Sequence, residues 1–412
     1  MLFLCYLIRA NVTTHVTHPK RNYQDRGLFM NVGIDKISFF VPPFYIDMAE
    51  LANARNVDPG KYLIGIGQSQ MAIGPSSQDI VTYAANAASK ILTQEDKDAI
   101  DLIIVGTESS FDESKASAVV LHRLLGIQEF ARSFEIKEAC YGATAGLEAA
   151  KNHIRLHPKS KALVIAADIA RYGLNNGGEP TQGAGAVAMI ISSKPKILTL
   201  SDDTVNLTQD IYDFWRPTGH TYPLVDGPLS NETYINSFKK VYTRYEELYQ
   251  KSFADFAALT FHIPYTKMGR KALQSVLPQA TQPDQERLLA RYEESITYSR
   301  QVGNLYTGSL YLGLISLLEN STFLRPGDKL GLFSYGSGAV SQFFTGTLQP
   351  DYKKHLLPDY HQDLLANRIK LSIPAYEEMF KETVDYDATT TFEDELSFSL
   401  TKIEDNIRFY RS

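Results

Sequence analysis

Short apolar runs recur along the chain, and each is apolar at successive positions rather than at alternate ones. Such runs are typical of strands that are buried on both faces of a sheet in a layered α/β protein. The six runs span residues 102–106, 162–167, 186–191, 256–261, 330–334 and 339–344. At residues 31–41 apolar and polar positions alternate, which predicts one further strand. The pattern therefore predicts the α/β fold class.

Two stretches between these runs have the pattern of helices. In residues 140–155, Ala143, Leu147 and Ile154 recur at helical spacing and form an apolar face. Residues 304–319 are apolar almost all round, and a helix of that kind is buried inside a protein. We therefore predict two internal helices, one in each half of the chain.

The predicted elements occur in the same order in both halves, which indicates an internal duplication. In the first half, a strand that opens at Asp101 reaches Glu108 seven residues later. In the second half, a strand that opens at Asp255 reaches His262 after the same interval. Each of these strands therefore ends at a polar side chain that can take part in chemistry.

A helix start and a glycine motif complete each half. Cys140 opens the buried helix of the first half, and Asn304 opens that of the second. The motifs GAGAV at 183–187 and GSGAV at 336–340 each lead into a strand. A duplication of this kind brings the helix starts and strand ends together, and open α/β sheets bind ligands beyond the carboxyl ends of their strands. The sequence therefore predicts one site built by both halves.

The same order of elements divides the chain into three parts. Residues 1–29 are predicted to be an unstructured leader, because their apolar run is short and lacks the basic start of a signal peptide. Met30 is the predicted natural start. Residues 30–195 and 196–412 are the predicted halves, and we expect them to share one core. Segments outside the repeat are predicted at 204–250, 279–300 and 351–412.

The composition and charge of the chain restrict its expected cellular location and the partners that it can bind. The chain of 412 residues carries a net charge of −6, so no basic field over the whole protein attracts nucleic acid. Its two cysteines, Cys5 and Cys140, exclude a disulfide framework and favour a cytoplasmic location. No apolar run approaches about 18 residues, so no membrane span is predicted. No group of histidines, cysteines and acids has metal-ligand spacing, so no metal is predicted.

Cys140 is the candidate nucleophile. It follows a strand-like run at 133–137 and is predicted to begin a helix, where free N–H groups and the helix dipole lower the pKa of a thiol. The small neighbours Gly142 and Ala143 leave room for an acyl group. The alternative is an inert buried cysteine. The duplication is expected to bring the polar strand ends close to this helix start, so we favour a nucleophilic role for Cys140 over an inert one.

Glu108 and His262 are the candidates for proton transfer and substrate binding. Glu108 follows a fully apolar strand, so partial desolvation is expected to favour its protonated form, which suits proton transfer. The alternative is an ordinary loop glutamate in contact with solvent. His262 can orient a substrate carbonyl or shuttle a proton, and we prefer it to His220, which lies in a turn-rich loop. Asn304 either caps its helix or holds a substrate carbonyl with its amide.

A cation group and the glycine motifs are the remaining candidates for ligand binding. Lys267, Arg270 and Lys271 form the best local set for a phosphorylated ligand, with simple surface solvation as the alternative. The glycine motifs are not P-loops, because no Gly-Lys-Ser/Thr follows them. We expect them to place backbone amides beside the site, as an oxyanion hole requires.

Seven motifs together resemble the thiolase superfamily and, within it, the bacterial hydroxymethylglutaryl-CoA synthases. They are VGTES at 105–109, KEACYGAT at 137–144, GGEPTQGAGAVAM at 177–189, YDFWRPTGH at 212–220, YPLVDGPLS at 222–230, FHIPYTKMG at 261–269 and GLFSYGSGAV at 331–340. The resemblance runs from about residue 30 to the C-terminus. It implies a thiolase-like five-layer αβαβα sandwich, made of two duplicated halves with buried central helices.

The resemblance also implies a role for each candidate residue. Cys140 takes an acetyl group from acetyl-CoA, Glu108 removes a methyl proton and later protonates the alkoxide, and His262 positions the carbonyl of acetoacetyl-CoA. Water then releases 3-hydroxy-3-methylglutaryl-CoA, an intermediate of the mevalonate pathway. The supporting residues are Asn304 and Ser337 at the acyl part, Thr181, Ser230 and Lys271 along the ligand channel, Asp58 near the CoA entrance, and Asp213, which keeps the site in shape.

The implied partners are the two CoA thioesters and a second copy of the chain. The thioesters are substrates, so no separate organic cofactor or metal is expected. The family resemblance implies a homodimer that packs through the sheet near residues 133–137.

Three other functions remain as alternatives. A thiolase needs a second cysteine in the latter half, and here the only other thiol is Cys5 in the leader. A ketoacyl synthase uses Cys, His and Asn but has no need of Glu108. A non-catalytic acyl-CoA-binding protein would not become acetylated on Cys140.

Overall fold

Nine strands of the computed structural model hydrogen-bond into one sheet. The structure describes residues 30–382 and 389–412, so the predicted leader at 1–29 lies outside the described residues. In chain order the described strands are β1 Gly33–Phe40, β2 Phe44–Asp47, β3 Gln70–Ile73, β4 Ile100–Gly106, β5 Arg132–Ile136, β6 Lys161–Ala170, β7 Gly183–Ser192, β8 Leu198–Thr208, β9 Phe214–Trp215, β10 Leu224–Val225, β11 Ala258–Phe261, β12 Lys329–Gly336, β13 Val340–Leu348, β14 Ile369–Lys370, β15 Thr390–Thr391, β16 Ser399–Glu404 and β17 Ile407–Arg411.

Helices cover the sheet and connect its strands. The described α-helices are α1 Met48–Ala54, α2 Ile80–Ser89, α3 Gln94–Ala99, α4 Ser117–Leu124, α5 Gly142–Leu156, α6 Gly227–Tyr249, α7 Thr266–Gln274, α8 Gln282–Ser295, α9 Ser299–Val302, α10 Ser309–Asn320, α11 Pro358–Ala366 and α12 Ile373–Lys381. A short π-helix spans Lys61–Ile66. Within the described residues, no helix is both long and apolar enough to cross a bilayer.

The strand order repeats across the large sheet. The order is β11-β12-β13-β8-β1-β7-β6-β4-β5. In one half β4 and β6 are parallel, and β7 and β1 continue antiparallel. In the other half β11 and β12 are parallel, and β13 and β8 continue antiparallel. The two halves meet where β1 pairs with β8 at Ile34 and Leu198. This repetition is what the predicted duplication requires, with β5 as an extra edge strand in the first half.

The hydrophobic clusters define five layers. Outer helices α2 and α4 pack on one face of β4, β6 and β7. Helices α5 and α10 lie in a cluster shared by strands of both halves. Helices α6, α7 and α8 pack with β11, β12 and β13 on the far side. The two halves of the sheet form separate layers, so the order is helix, sheet, helix, sheet, helix, as predicted. Asn31–Ser412 form one compact unit.

The two predicted internal helices are buried at the centre. Helix α10 is buried at every position from Ser309 to Leu318. Helix α5 approaches strand β4 so closely that a Cβ on Gly106 would lie 2.3 Å from the backbone nitrogen of Ala143. A glycine is needed here because a side chain would push the helix away from the strand. This contact brings the end of β4 next to the start of α5.

Strand β8 corrects the prediction for the second half. Residues 204–250 were expected to lie outside the repeat, but residues 204–208 belong to β8, the counterpart of β1. The strand has the sequence LTLSDDTVNLT and is only partly buried. Its polar residues hide the apolar pattern that marks the other strands. The rest of that segment contains the long helix α6, which does pack outside the repeated strands.

Strand β1 is confirmed. The alternation of apolar and polar residues that predicted it suggests one exposed face, whereas both faces of the strand are buried. It lies between β7 and β8 and is buried at nearly every position. Asp35 is therefore buried, and its carboxylate lies 3.6 Å from Lys161 and 3.7 Å from Lys196. The lysines offset the cost of burying that charge.

Candidate active site

Cys140 lies in the loop between β5 and α5. The helix begins at Gly142, two residues after the cysteine, with Tyr141 as the N-cap residue. Ala139, immediately before the cysteine, has a left-handed backbone with φ of 40°. The cysteine is therefore next to the helix start but not part of the helix, which corrects the predicted boundary by two residues.

Glu108 and Cys140 are in direct contact. The Sγ–H of Cys140 donates a hydrogen bond to Oε1 of Glu108 at 3.0 Å. Glu108 follows β4, and the close approach of Gly106 to Ala143 brings that strand end to the start of α5. Cys140 is buried and Glu108 is half-buried. The structure thus brings together the thiol and the carboxyl group that the sequence singled out.

Burial keeps protons on both groups at neutral pH. Burial and then the nearby Asp168 raise the pKa of Glu108 to about 8. Burial and then Glu108 raise the pKa of Cys140 well above its usual range. The prediction that the helix start lowers the pKa of the thiol is therefore wrong for this site, because desolvation and a neighbouring carboxyl group outweigh the helix.

Asp168, which no sequence motif marks, fixes the backbone of Glu108. Its Oδ1 accepts hydrogen bonds from the backbone N–H of Glu108 at 2.7 Å, from Thr107 at 3.0 Å and from Ser109 at 2.9 Å. Its Oδ2 accepts from the backbone and hydroxyl of Thr307 at 3.0 and 2.6 Å. Burial raises the pKa of Asp168 to about 6. The residue lies inside β6, where its single charge gave no motif to recognise.

His262 is a buried, neutral imidazole at the end of β11. Its backbone N–H donates to the carbonyl of Phe333 at 2.7 Å, and its carbonyl accepts from the hydroxyl of Tyr234. Burial lowers the pKa of His262 to about 3. Its Nδ1 has no hydrogen-bond partner among the described residues. The other candidate, His220, is exposed in the hairpin loop, which supports the choice of His262.

The strand ends place His262 on the same edge of the sheet as the cysteine loop. Strands β11 and β12 are parallel, so His262 and Gly336 lie at neighbouring carboxyl ends. A Cβ on Gly336 would lie 2.7 Å from the backbone nitrogen of Tyr141, the residue after Cys140. The carboxyl ends of both halves therefore meet around the cysteine loop.

Asn304 joins the two halves, although it does not begin the second buried helix. Helix α10 begins at Ser309, after a short 3₁₀ turn. Oδ1 of Asn304 accepts hydrogen bonds from the backbone N–H of Tyr306 and the hydroxyl of Ser309, both at 2.8 Å. A Cβ on Gly183 would lie 2.6 Å from the carbonyl oxygen of Asn304. The glycine motif of the first half therefore packs directly on this asparagine.

An aromatic group surrounds the thiol. Tyr306 and Cys140 share one buried cluster, against which Tyr172 and Phe214 pack. The ring centroids of these three aromatics are 5.9 to 6.1 Å apart, with edge-to-face geometry. Phe214 and Tyr306 lie within segments that the sequence analysis quoted, but apolar character alone did not mark them as site residues.

Asp213 and Ser337 lie at the edge of the same region. Asp213 is fully buried and accepts hydrogen bonds from the hydroxyl of Tyr335 at 2.7 Å and the backbone N–H of Gly338 at 2.9 Å. It thereby ties the β9–β10 hairpin to the turn that holds Ser337. Ser337 and Glu108 line one cavity of about 510 Å³.

The predicted channel residues lie farther out. Lys271 donates to the hydroxyl of Tyr265 at 2.9 Å, and that hydroxyl donates to Asn231 at 2.6 Å, next to Ser230. The hydroxyl of Thr181 donates to Gly178, and Asp58 accepts from Gly60 within its own turn. No hydrogen bond within residues 30–382 and 389–412 links these four predicted channel residues to Glu108 or Cys140.

Comparisons with known proteins give the family. A family model described as "Hydroxymethylglutaryl-coenzyme A synthase N terminal" matches residues 29–196, and its C-terminal counterpart matches residues 204–291 and 278–409. A hydroxymethylglutaryl-CoA synthase from Enterococcus faecalis is 68% identical over 383 residues, which cover 93% of this chain and 100% of that protein. The chain belongs to the hydroxymethylglutaryl-CoA synthase family.

Solved structures confirm the fold. A hydroxymethylglutaryl-CoA synthase complexed with CoA superimposes with a TM-score of 0.91 and 46% identity, over 93% of this chain and all of that one. A structure of MvaS in complex with 3-hydroxy-3-methylglutaryl coenzyme A gives a TM-score of 0.84 and 35% identity, over 92% and 98% of the two chains. The predicted thiolase-like sandwich is therefore confirmed.

Family membership makes this synthase a condensing acyltransferase and confirms the resemblance found in the sequence. A polyketide 3-hydroxy-3-methylglutaryl-ACP synthase from Bacillus subtilis, PksG, is 31% identical over 85% of this chain and 88% of that protein. The identity to the hydroxymethylglutaryl-CoA synthase, 68%, is more than twice this value.

Proposed function

We propose that this synthase condenses acetyl-CoA with acetoacetyl-CoA and water, giving 3-hydroxy-3-methylglutaryl-CoA and CoA through an acetyl thioester on Cys140. The observation that carries the proposal is the 3.0 Å hydrogen bond between Sγ of Cys140 and Oε1 of Glu108. It sets a nucleophile beside a group that can remove a proton from whatever the nucleophile carries. Such a reaction supplies the mevalonate pathway.

Acetyl transfer comes first in the proposed sequence. Sγ of Cys140 attacks the carbonyl carbon of acetyl-CoA, the bond to the CoA sulfur breaks, and the thiol proton leaves with CoA. Because the pKa of the thiol is raised, the proton is lost during the attack rather than before it. The aromatic rings of Tyr172, Phe214 and Tyr306 pack around the thiol and give the acetyl group apolar surroundings.

Condensation depends on Glu108 in both protonation states. Its carboxylate removes a proton from the methyl group of the acetyl thioester, and the methyl carbon then bonds to C3 of acetoacetyl-CoA. The same proton passes from Glu108 to the alkoxide formed at C3. A pKa of about 8 suits both transfers, because a group that titrates near the working pH gains and loses a proton at similar cost.

His262 acts on the second substrate. With a pKa near 3, the imidazole stays neutral at the pH of the reaction and keeps one N–H donor. That donor holds the C3 carbonyl oxygen of acetoacetyl-CoA and stabilises the charge that develops there. A neutral imidazole does this without surrendering its proton, so the proton for the alkoxide comes from Glu108.

The other residues bind or support the substrates in this proposal. They are Asn304 and Ser337 for the acyl part, Thr181, Ser230 and Lys271 for the channel, Asp58 for the CoA entrance, and Asp213 for the shape of the site. Asp168 joins them as the residue that fixes the backbone of Glu108. The substrates are CoA thioesters, and no separate cofactor or metal takes part.

The assembly and location are part of the same proposal. The chain acts as a cytoplasmic homodimer of duplicated halves, 30–195 and 196–412, and has no nucleic acid or membrane partner. Strand β5 at Arg132–Ile136 is the last strand of the large sheet and is partly exposed. An open edge of this kind can pair with the same edge of a second copy. Light scattering on the purified chain distinguishes a dimer from a monomer.

Labelled acetyl-CoA tests the proposed nucleophile. Peptide mapping after incubation with labelled acetyl-CoA is expected to find the label on Cys140, and Cys140→Ser is expected to abolish labelling and product formation. A matched control is Ser193→Cys, which adds a thiol just after β7, beside the start of β6 and away from the carboxyl ends of β4 and β6, and should not change the position of the label. Labelling of any residue other than Cys140 contradicts the proposal.

A further inference from the structure

We propose that a cavity beside Glu108 carries the hydrolytic water to the thioester on Cys140, by a route separate from that of CoA. The inference rests on the proposed function, in which water cleaves the thioester after condensation. The cavity has a volume of about 200 Å³ and is lined by Glu108, Ser110, Arg216, Thr221 and Tyr306, among others. This volume accommodates several water molecules.

The cavity leads from the surface to the reacting groups. Ser110 and Thr221 are exposed and form its outer end. At the inner end, Glu108 is hydrogen-bonded to the thiol of Cys140, and Tyr306 shares the buried cluster of that cysteine. A water molecule that enters beside Thr221 can therefore reach the carboxyl group next to the thioester.

Polar groups of the lining offer contacts to water, although Ile169, Phe214 and Pro223 make part of the wall apolar. Ser109, Ser110, Thr221 and Tyr306 contribute hydroxyl groups, and Arg171 and Arg216 contribute guanidinium groups. The guanidinium of Arg216 donates to the backbone carbonyl of Glu108, so it holds the β9–β10 hairpin against the inner end of the cavity. A water molecule that enters this cavity therefore meets hydroxyl and guanidinium groups between the surface and Glu108.

CoA has its own path in the proposed function. The proposed channel residues Thr181, Ser230 and Lys271 do not line this cavity. Instead, Lys271 of α7 donates to Tyr265, the residue before that helix, and Tyr265 donates to Asn231 in the first part of α6. After condensation the acyl group on Cys140 still carries CoA, so the CoA path is occupied at the moment when water has to arrive.

A second cavity meets Glu108 from the other side of the hairpin. It measures about 510 Å³, and Ser337 lines it together with Ala139 and Val340. Because Ser337 is proposed to bind the acyl part, we assign this space to the acyl group and the smaller cavity to water. Phe214 and Arg216 line both cavities and separate them.

The hydrolytic step balances with the groups at hand. The water oxygen bonds to the acyl carbon as the carbon–sulfur bond breaks. One water proton passes through the Glu108 carboxylate to Sγ of Cys140, which leaves as a thiol. The new carboxylic acid ionises, and its proton leaves through the same water-filled cavity.

Thr221→Trp tests the route by filling the outer end of the cavity. We expect turnover to fall about tenfold or more, with a covalent 3-hydroxy-3-methylglutaryl-CoA adduct on Cys140 that mass spectrometry detects. Acetylation by acetyl-CoA alone should keep its wild-type rate. The matched control is His220→Trp on the neighbouring exposed residue, which does not line the cavity and should keep wild-type turnover without an adduct.

Ser110→Trp is a second variant that fills the same outer end of the cavity. It keeps the route testable if Thr221→Trp does not fold. Wild-type turnover without an adduct in the folded variants overturns the route. Slow acetylation also overturns it, because the cavity would then admit acyl-CoA. A wild-type enzyme that never becomes acetylated on Cys140 refutes instead the proposed function on which the route rests.

Discussion

At the scale of single residues, burial decides the chemistry of the site more than proximity to a helix does. The sequence located Cys140, Glu108 and His262, because each follows a strand or precedes a helix in a repeated order. It gave the wrong direction for the thiol pKa, because the pattern of residues does not reveal how deeply Cys140 is desolvated. Asp168 was missed for a similar reason, since its hydrogen-bond partners come from two distant segments, residues 107–109 and Thr307.

The raised pKa of Glu108 predicts how stability depends on pH. The unfolded carboxyl group ionises near 4.5, whereas the folded one holds its proton up to about 8. Folding therefore becomes less favourable as the pH rises through this window. We expect Glu108→Gln to gain stability over wild type between about pH 5 and about pH 8, as measured by urea unfolding. A constant difference across that window would contradict the raised pKa.

The neutral state of His262 predicts a substrate-specific defect. His262→Ala removes the donor to the acetoacetyl-CoA carbonyl, so the Michaelis constant for acetoacetyl-CoA should rise about 5- to 150-fold, the equivalent of one lost hydrogen bond. Acetylation of Cys140 should be unchanged. His220→Ala is the control and should behave as wild type. An unchanged Michaelis constant in His262→Ala would exclude the assigned role.

At the scale of elements, the apolar runs predicted most of the central strands, and the structure shows why one was missed. Strands buried on both faces consist almost wholly of apolar residues, as β4, β6 and β7 do. Strand β8 occupies a central place yet carries Asp202, Asp203 and Asn206. Lys329 and Tyr245 pair with Asp203, so its charge is satisfied by elements far away in the sequence. No local pattern could have shown this.

The contact between β4 and α5 predicts the effect of a single methyl group. A Cβ on Gly106 would lie 2.3 Å from the backbone of Ala143, so Gly106→Ala must displace the helix that follows Cys140. We expect a loss of stability of about 1–3 kcal/mol from this overpacking, together with slower acetylation. Gly227→Ala is the control, because nothing lies within 4 Å of its added Cβ. Wild-type acetylation in a stable Gly106→Ala variant would contradict the account.

At the scale of the whole molecule, the duplication explains why the proposed catalytic residues come from both halves. The first half supplies Glu108 and Cys140, and the second supplies His262 and Asn304. The sequence predicted this division from the repeated order, and the strand order of the sheet repeats in the same way. What the sequence could not show is the link between the halves, since hydrogen bonds such as Thr307 to Asp168 depend on the packing of the 3₁₀ turn Tyr306–Gly308 against β6.

That link predicts a measurable coupling. Thr307→Val removes a hydroxyl that donates to Asp168 at 2.6 Å, and a hydrogen bond to a charged group contributes about 1.5–3 kcal/mol. We expect a loss of stability of this size and slower condensation. Thr260→Val is the matched control, because the buried hydroxyl of Thr260 has no hydrogen-bond partner in the described part of the chain. Equal effects of the two substitutions would show that the link does not matter.

The division of labour between thiol and carboxyl group is tested most directly by one measurement on Glu108→Gln. Mass spectrometry follows the peptide that contains Cys140 after acetyl-CoA is added, first alone and then with acetoacetyl-CoA. We predict that the variant becomes acetylated on Cys140 and stays so when acetoacetyl-CoA arrives, while wild type discharges its acetyl group into product. Discharge of the variant at the wild-type rate would contradict the account.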